Sequence, residues 1–571
     1  MPEQITHNQN EYRLRAKMPQ YFRFAAIGVL AVTIFAVVVG FYRERSISPF
    51  KLKSEHTQLS TEVTADVNSY ERLETDGGIS KYYIKADSAK TFSDEHQEFE
   101  NVYIETFDKD GSSCNKMTAD SGLYVPQESK TFTAYLKGNV QIETSEDLKI
   151  KTNNVIYTNQ NDTAEADEAV TFERDKIRGR SFGATVKIGE KLIELLKDVE
   201  IEAFESPELA KSNVRYAKIN TNSASFDQTH NRIDLRDSVA IAIDSKSDAG
   251  KSQTTDVRAD RASVFFSSAD AKSSEVKKFE LFDNVHIVSS ESGAAPTTID
   301  SGYAIYDKDA DRYELKNNAH IVTVANGRTT EITSFESVYE QSVGKLALTG
   351  SAQITQDENL LKGDLVYASL FSDRKIKDAI IRGNASARQT TPERTTTITA
   401  PELNASFSES RQLHDANAIG QSNVEFIPVN VKDYSKVTLS ALKGIGVLFK
   451  GPGLIDALRT DGRTTIQLNT PDSNDGTNKR VTADVVRTIF NANGKDISKA
   501  EAVGNAELYV EPLQAAKQNY RTTINAPRFD CDFFPTGNNA RTCSGGKKTK
   551  TVRVPTIAEP AHGIQTLIDD Q

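Results

Sequence analysis

The chain holds no tryptophan, three cysteines, three methionines and eight histidines in 571 residues. The histidines are scattered, with no His-x-x-x-His pair, so no metal site or acid–base constellation assembles around them. His286 and His320 fall on the polar phase of their segments and read as surface residues. No Cys-x-x-Cys pair is present, which excludes the common zinc sites. There is no Walker loop, so the chain does not hydrolyse ATP itself. Gly444-Ile445-Gly446 lacks the glycine at 449 that a dinucleotide fingerprint needs. Asp307-x-Asp309-x-Asp311 opens like a calcium loop, but Arg312 replaces the required glycine and Asn318 the required glutamate. A solvated turn accounts for it better. Carboxylates sit in turns and on polar phases, where nothing is expected to raise a pKa. No enzyme, metal or cofactor is expected. A net charge of −11 disfavours nucleic acid as a partner, which wants a basic stripe, and none is expected.

Charge is missing from one long run, Phe24 to Tyr42. At about 1.5 Å per residue a helix of this length just crosses a hydrocarbon layer of about 30 Å. A transmembrane helix is expected over residues 22–42, with Phe24, Leu30, Phe35 and Phe41 among its lipid-facing anchors. Arg13, Arg15, Lys17 and Arg23 precede it, which favours residues 1–21 in the cytoplasm and the bulk of the chain in the periplasm. The alternative is a cleaved signal peptide. The run is long for that, and no small-x-small cleavage site follows Gly40.

The rest is repetitive. In the stretch from Thr131 to Ile142 the even positions are Phe132, Ala134, Leu136, Gly138, Val140 and Ile142, and the odd ones are Thr, Thr, Tyr, Lys, Asn and Gln. That alternation predicts a strand with an apolar inner face and a wet outer face, placing Thr133, Lys137 and Gln141 in water. The phrase returns with Leu195, Val199 and Ile201, then Leu235, Val239 and Ile241, then Leu281, Val285 and Ile287. It returns again with Leu315 and Ile321, and with Leu348 and Ile354. A small polar residue usually precedes the fourth apolar position: Asn139, Asp198, Ser238, Asn284, Asn318, Ser351, Asn384 and Asn505. The steps between copies vary from 29 to 46 residues, which argues against a strict β-helix rung. Between copies run further strand-like segments, such as Thr118-Ala119-Asp120 to Tyr124 and Thr482-Ala483-Asp484 to Phe490. An all-β fold of stacked antiparallel hairpins follows, each unit packing on its neighbours. Cys531 and Cys543 flank a Pro535-Thr536-Gly537-Asn538 turn, and a disulfide across that hairpin is expected. Two separate thiols remain the alternative.

These segments carry a family resemblance. The uncharged run, then Lys85-Ala86-Asp87-Ser88, Met117-Thr118-Ala119-Asp120-Ser121-Gly122-Leu123-Tyr124 and Leu136-Lys137-Gly138-Asn139-Val140-Gln141-Ile142, resemble LptC. That family is the membrane-anchored periplasmic component of the lipopolysaccharide export ABC transporter. Later units, such as Val481-Thr482-Ala483-Asp484 with Val503-Gly504-Asn505-Ala506, resemble the OstA-like domain of LptA. The resemblance implies an elongated, twisted β-jellyroll with an open apolar groove. It implies lipopolysaccharide as cargo, with the permease subunits of the inner-membrane exporter as partners. It also implies an LptA-like bridge or the outer-membrane translocon as a partner through strand addition. The expected organisation is a cytoplasmic segment 1–21, a helix 22–42, a tether 43–80, an LptC-like jellyroll 81–205, OstA-like jellyrolls 206–430 and 431–554, and a tail 555–571. The expected groove lining is Phe132, Leu136, Val140, Ile142, Leu195, Val199, Ile201, Leu235, Val239, Ile241, Leu281, Val285, Ile287, Leu315, Ile321, Leu348 and Ile354. The function implied is passage of lipopolysaccharide along that groove. The alternatives are a structural stalk with a closed core and an enzyme on a β-solenoid; the latter needs a cluster of Asp, Lys and Arg on one outer face, which the sequence does not show.

Overall fold

A computed structural model describes residues 59–567 apart from short stretches, the longer ones being 108–112, 205–213, 267–275, 514–519 and 556–565. The expected helix 22–42, with Phe24, Leu30, Phe35 and Phe41, lies outside the described residues. Among the described residues every regular element is a strand, and no helix is long and apolar enough to cross a membrane. The chain divides into two compact units, up to Asn317 and from Asn318 onward. That division falls inside the stretch 206–430 expected as one jellyroll.

The first unit holds β1 (Val63–Asp76), β2 (Ile79–Phe92), β3 (Gln97–Phe107), β4 (Ser113–Pro126), β5 (Phe132–Thr144), β6 (Lys149–Thr158), β7 (Thr163–Arg174) and β8 (Ile177–Lys187). It continues with β9 (Leu192–Phe204), β10 (Val214–Thr221), β11 (Ser223–Asp227), β12 (Arg232–Lys246), β13 (Ser252–Phe266), β14 (Val276–Glu291) and β15 (Thr297–Asp307). β1 lies within the expected tether: Val63 to Asp76 pairs antiparallel with β2, because its Thr, Val and Tyr residues can join a ladder despite their polar neighbours. From β1 to β9 each strand pairs with the next. β10 and β11 are halves of one broken strand, since both pair with β9 and with β12. β16 (Arg312–Ala325) carries the division between the units.

The second unit begins its ladder with β17 (Arg328–Glu340), β18 (Lys345–Gln356), β19 (Asn359–Leu370), β20 (Ile376–Thr390) and β21 (Arg394–Phe407). β22 (Leu413–Ile419) and β23 (Ser422–Pro428) then share β21 between them. Short half-strands follow: β24 (Lys436–Ala441), β25 (Gly444–Gly451), β26 (Leu454–Asp461), β27 (Thr464–Asn469), β28 (Thr477–Ala483) and β29 (Val485–Phe490). β28 and β29 both pair with the long β30 (Ile497–Pro512), which pairs with β31 (Tyr520–Phe533). β32 (Ala540–Ser544), β33 (Lys550–Pro555) and β34 (Thr566–Leu567) complete it. Cys531 and Cys543 face each other on β31 and β32 and are disulfide-bonded.

A recurrent corner explains the repeated phrase. β5 advances four residues, Lys137 to Gln141, while β4 advances three, Thr118 to Ser121. The extra residue makes a bulge, which bends the strand. Gly138 and Asn139 take φ of 78° and 47°, a left-handed region that glycine and asparagine tolerate best. The Asn139 amide donates to the Asp120 carboxylate at 2.7 Å. The same clasp joins Asn101 to Asp87 at 2.8 Å, Asn284 to Asp260 at 2.8 Å, Asn384 to Asp364 at 3.2 Å and Asn505 to Asp484 at 2.9 Å. Ala86, Ala119, Ala259 and Ala483, which precede four of these aspartates, are buried; so are Val102, Val140, Val285, Ala385 and Ala506, which follow the asparagines. Gly138 is therefore a corner residue and not an inward gap in the packing, as plain alternation implied.

Candidate functional site

Strong alternation supplies an apolar interior to each unit. In the first, Val199, Ile219, Leu235, Val239, Ile241, Val257, Val264 and Leu281 form one buried cluster. Ala86, Phe99, Val102, Leu136 and Val140 form another. In the second unit Leu348, Val366, Ile381, Leu403 and Val424 cluster, as do Ala483, Val486, Ala502 and Ala506.

The first unit also holds a partly open cavity of about 140 Å³. Its wall draws on eight strands, β5 to β12, with Ile142, Ile150, Val155, Val170, Phe172, Val186, Ile193, Leu195, Ile201, Ile219, Phe226, Ile233 and Leu235 among the lining residues. A closed apolar cavity of about 150 Å³ takes a benzene-sized hydrocarbon, which sets the scale of what this apolar space accepts as it stands. Thr152, Ser225 and Glu165 are the lining residues with polar side chains. Desolvation, helped by the charge of Asp167, pushes the Glu165 carboxyl above its ordinary range. The sequence predicted no raised carboxylate; Glu165 is an exposed residue of β7 that also borders the cavity, a placement strand period does not report.

The outer face of the same strands is ionic. Arg178 of β8 reaches Glu202 of β9 at 2.7 Å, and Arg180 reaches Glu200 at 3.3 Å. Lys218 of β10 bridges both glutamates, at 2.8 and 3.4 Å. The Tyr216 hydroxyl donates to Glu202 at 2.8 Å. That hydrogen bond first, and Arg178 second, hold the Glu202 carboxyl below its usual range. The wall is thus dry inside and charged outside, a two-faced sheet.

The expected lining residues separate into classes. Ile142, Leu195, Ile201 and Leu235 stand in the cavity wall. Leu136, Val140, Val199, Val239, Ile241, Leu281 and Val285 are buried in packed core, as is Leu348 in the second unit. Ile287 and Leu315 pack half-buried against the first unit's cluster, and Ile354 against one in the second. Phe132 and Ile321 are half-buried. Thr133, expected in water, is buried at 1% exposure, while Lys137 and Gln141 are exposed as expected. Thr133 accepts a 2.9 Å hydrogen bond from the Gln127 side chain, so its hydroxyl has a partner there. Phe172, Val186, Ile219 and Phe226 were missed as lining because they sit on strands between the recognised phrases.

Residues 29–203 match the sequence model of a family described as LptC: Lipopolysaccharide-assembly, LptC-related. The match begins inside the uncharged run and ends at the end of β9. No curated protein matches the chain.

Proposed function

Because residues 29–203 match the model of the LptC-related lipopolysaccharide-assembly family, we propose that the chain carries lipopolysaccharide from an inner-membrane ABC exporter towards the outer membrane. The observation that carries this reading is the apolar cavity of about 140 Å³, whose wall is built partly by β5 to β9 of the family match and partly by β10 to β12 beyond it. Acyl chains occupy the interior while sugars and phosphates remain in water. Burial of each CH₂ contributes about 0.8 kcal/mol, so every methylene the widened interior accepts adds to retention against release into water. An apolar path keeps that burial nearly constant as the lipid advances. Direction then comes from ATP hydrolysis by other subunits.

Residues 22–42 anchor the chain in the inner membrane beside the permease subunits, with the N-terminus cytoplasmic and the strands periplasmic. Edge strands offer unpaired backbone groups to an LptA-like bridge or to the outer-membrane translocon. No catalytic step is required of the chain. The cavity is smaller than one acyl chain, so loading requires the wall to widen around it.

Purification of the full chain from membranes, followed by extraction and mass spectrometry of bound lipid, tests this. A stoichiometric glycolipid supports the conduit. A lipid-free protein recovered from cells with active export supports the closed stalk.

A further inference from the structure

The C-terminal end of the second unit departs from the rest of the chain in charge. Residues 533–558 contain no Asp or Glu, in a chain that has 80 of them. The same stretch holds Arg541, Lys547, Lys548, Lys550 and Arg553. β32 and β33 are halves of one broken strand, since both pair with β31. Arg541 stands on one half, Lys550 and Arg553 on the other, and Lys547 and Lys548 at the corner between them. All five are exposed. None makes an ion pair among the described residues. The arginines of the neighbouring β31 are matched instead, Arg521 with Glu511 and Arg528 with Glu501 and Asp530.

The fold does not account for this charge. Lys548 takes a φ of 78°, in the left-handed region that glycine and asparagine tolerate best. The clasped corners place asparagine in that conformation. A lysine there adds strain and, being exposed, little packing. The corner is closed by other means, the Thr549 hydroxyl donating to the Gly546 carbonyl at 2.8 Å.

Exposed apolar side chains accompany the cations. Phe534, 48% exposed, opens the turn that leads to Arg541. Tyr520 and Val554 are exposed at the other end of β31 and β33, where Tyr520 faces Pro555 and Val554 faces Arg521. Rings set among lysines and arginines suit a lipid interface: the rings enter the headgroup layer while the cations meet its phosphates. An added protein strand fits less well. The outer edge of β33 is already paired, Thr551 with Leu567 and Val552 with Thr566 of β34. We propose that this end of the chain docks on the phosphate-bearing surface of an anionic lipid bilayer, through these five cations and Phe534. The proposal stands whether or not the interior carries lipid.

The test is sedimentation of the full-length chain, held in phosphatidylcholine nanodiscs, with added vesicles. The vesicles are phosphatidylcholine alone, or phosphatidylglycerol and phosphatidylcholine in equal parts. Binding is expected to the anionic vesicles only, and to be lost in about 1 M salt, where screening acts within about 3 Å. Lys547→Gln with Lys548→Gln is expected to weaken it about 25-fold, at about fivefold per charge. Lys548→Asn is expected to weaken it about fivefold while the melting temperature matches or exceeds the parent's, because asparagine suits the left-handed corner. Phe534→Ser is expected to weaken binding without altering its salt dependence. No binding to anionic vesicles, equal binding to both kinds, or binding untouched by the paired lysine change overturns the proposal. So does self-association without vesicles that the paired change abolishes. That outcome assigns the cations to the acidic β1 of a second copy, with its Asp66, Glu71, Glu74 and Asp76.

Discussion

At the residue scale the corner clasp decides most. Asn139 combines a left-handed backbone with a hydrogen bond to Asp120. Asn139→Ala loses both advantages and should cost about 2 kcal/mol, from roughly 1 for the hydrogen bond and 1 for the backbone. Asn139→Gly keeps the backbone and should cost about half as much. Denaturant titration of the three proteins checks the order. Gly138 is more constrained: a methyl group there would lie 2.4 Å from the Asp120 carboxylate oxygen, at a φ of 78°. Gly138→Ala should therefore destabilise by about 1–3 kcal/mol, and adding Asp120→Ala should not rescue it, because the Cβ at 120 would still lie 2.8 Å from the new methyl and the clasp to Asn139 would be lost. The recurrence of Ala-Asp and Gly-Asn was legible in the sequence. Their meeting was not, because plain alternation places Gly138 inside and assigns Asn139 no task. Thr133 shows the same limit: it is buried and accepts a hydrogen bond from the Gln127 side chain, neither of which strand period can report.

At the element scale the all-β, antiparallel character followed from period and composition. The broken strands did not. β22 and β23 divide at Gly420, whose φ is 85°, and the chain then builds two sets of half-strands. Loosened pattern after Val429 marked the place without giving the pairing. Cys531 and Cys543 join β31 to the short β32, all of whose residues are exposed. β32 has no apolar face to hold it, so the crosslink supplies the attachment. Cys543→Ser should lower stability of that hairpin by about 2–3 kcal/mol, read as faster amide exchange in 540–544 with little change in β12 or β13. On β9, Glu202 has its pKa depressed by Tyr216 and Arg178. Its contribution is present above the pKa it has in the unfolded chain and is lost as pH falls through the lower folded value. The stability of the parent should therefore fall on acidification below the ordinary carboxylate range more steeply than that of Glu202→Gln, measured by urea midpoint at each pH.

At the scale of the whole molecule the account separates a conduit from a closed stalk. Much of the expected lining is packed core, as Val140 at 0% and Leu348 at 0% exposure show, and this is what a stalk requires. The cavity bounded by Ile142, Leu195, Ile201 and Leu235 is what a conduit requires. Sequence period marks an inner face but cannot distinguish filled space from empty space, because that depends on how far apart neighbouring strands lie. The most direct measurement places a photo-crosslinking residue at Ile142 or Leu195, which line the cavity, and at Gln141 or Lys197, which are exposed. The full-length chain is then assembled with its exporter and supplied with ATP. The account predicts lipopolysaccharide adducts at 142 and 195 that require ATP, and none above background at 141 and 197. Equal adducts at both pairs, or none at 142 and 195 while export proceeds, would contradict it.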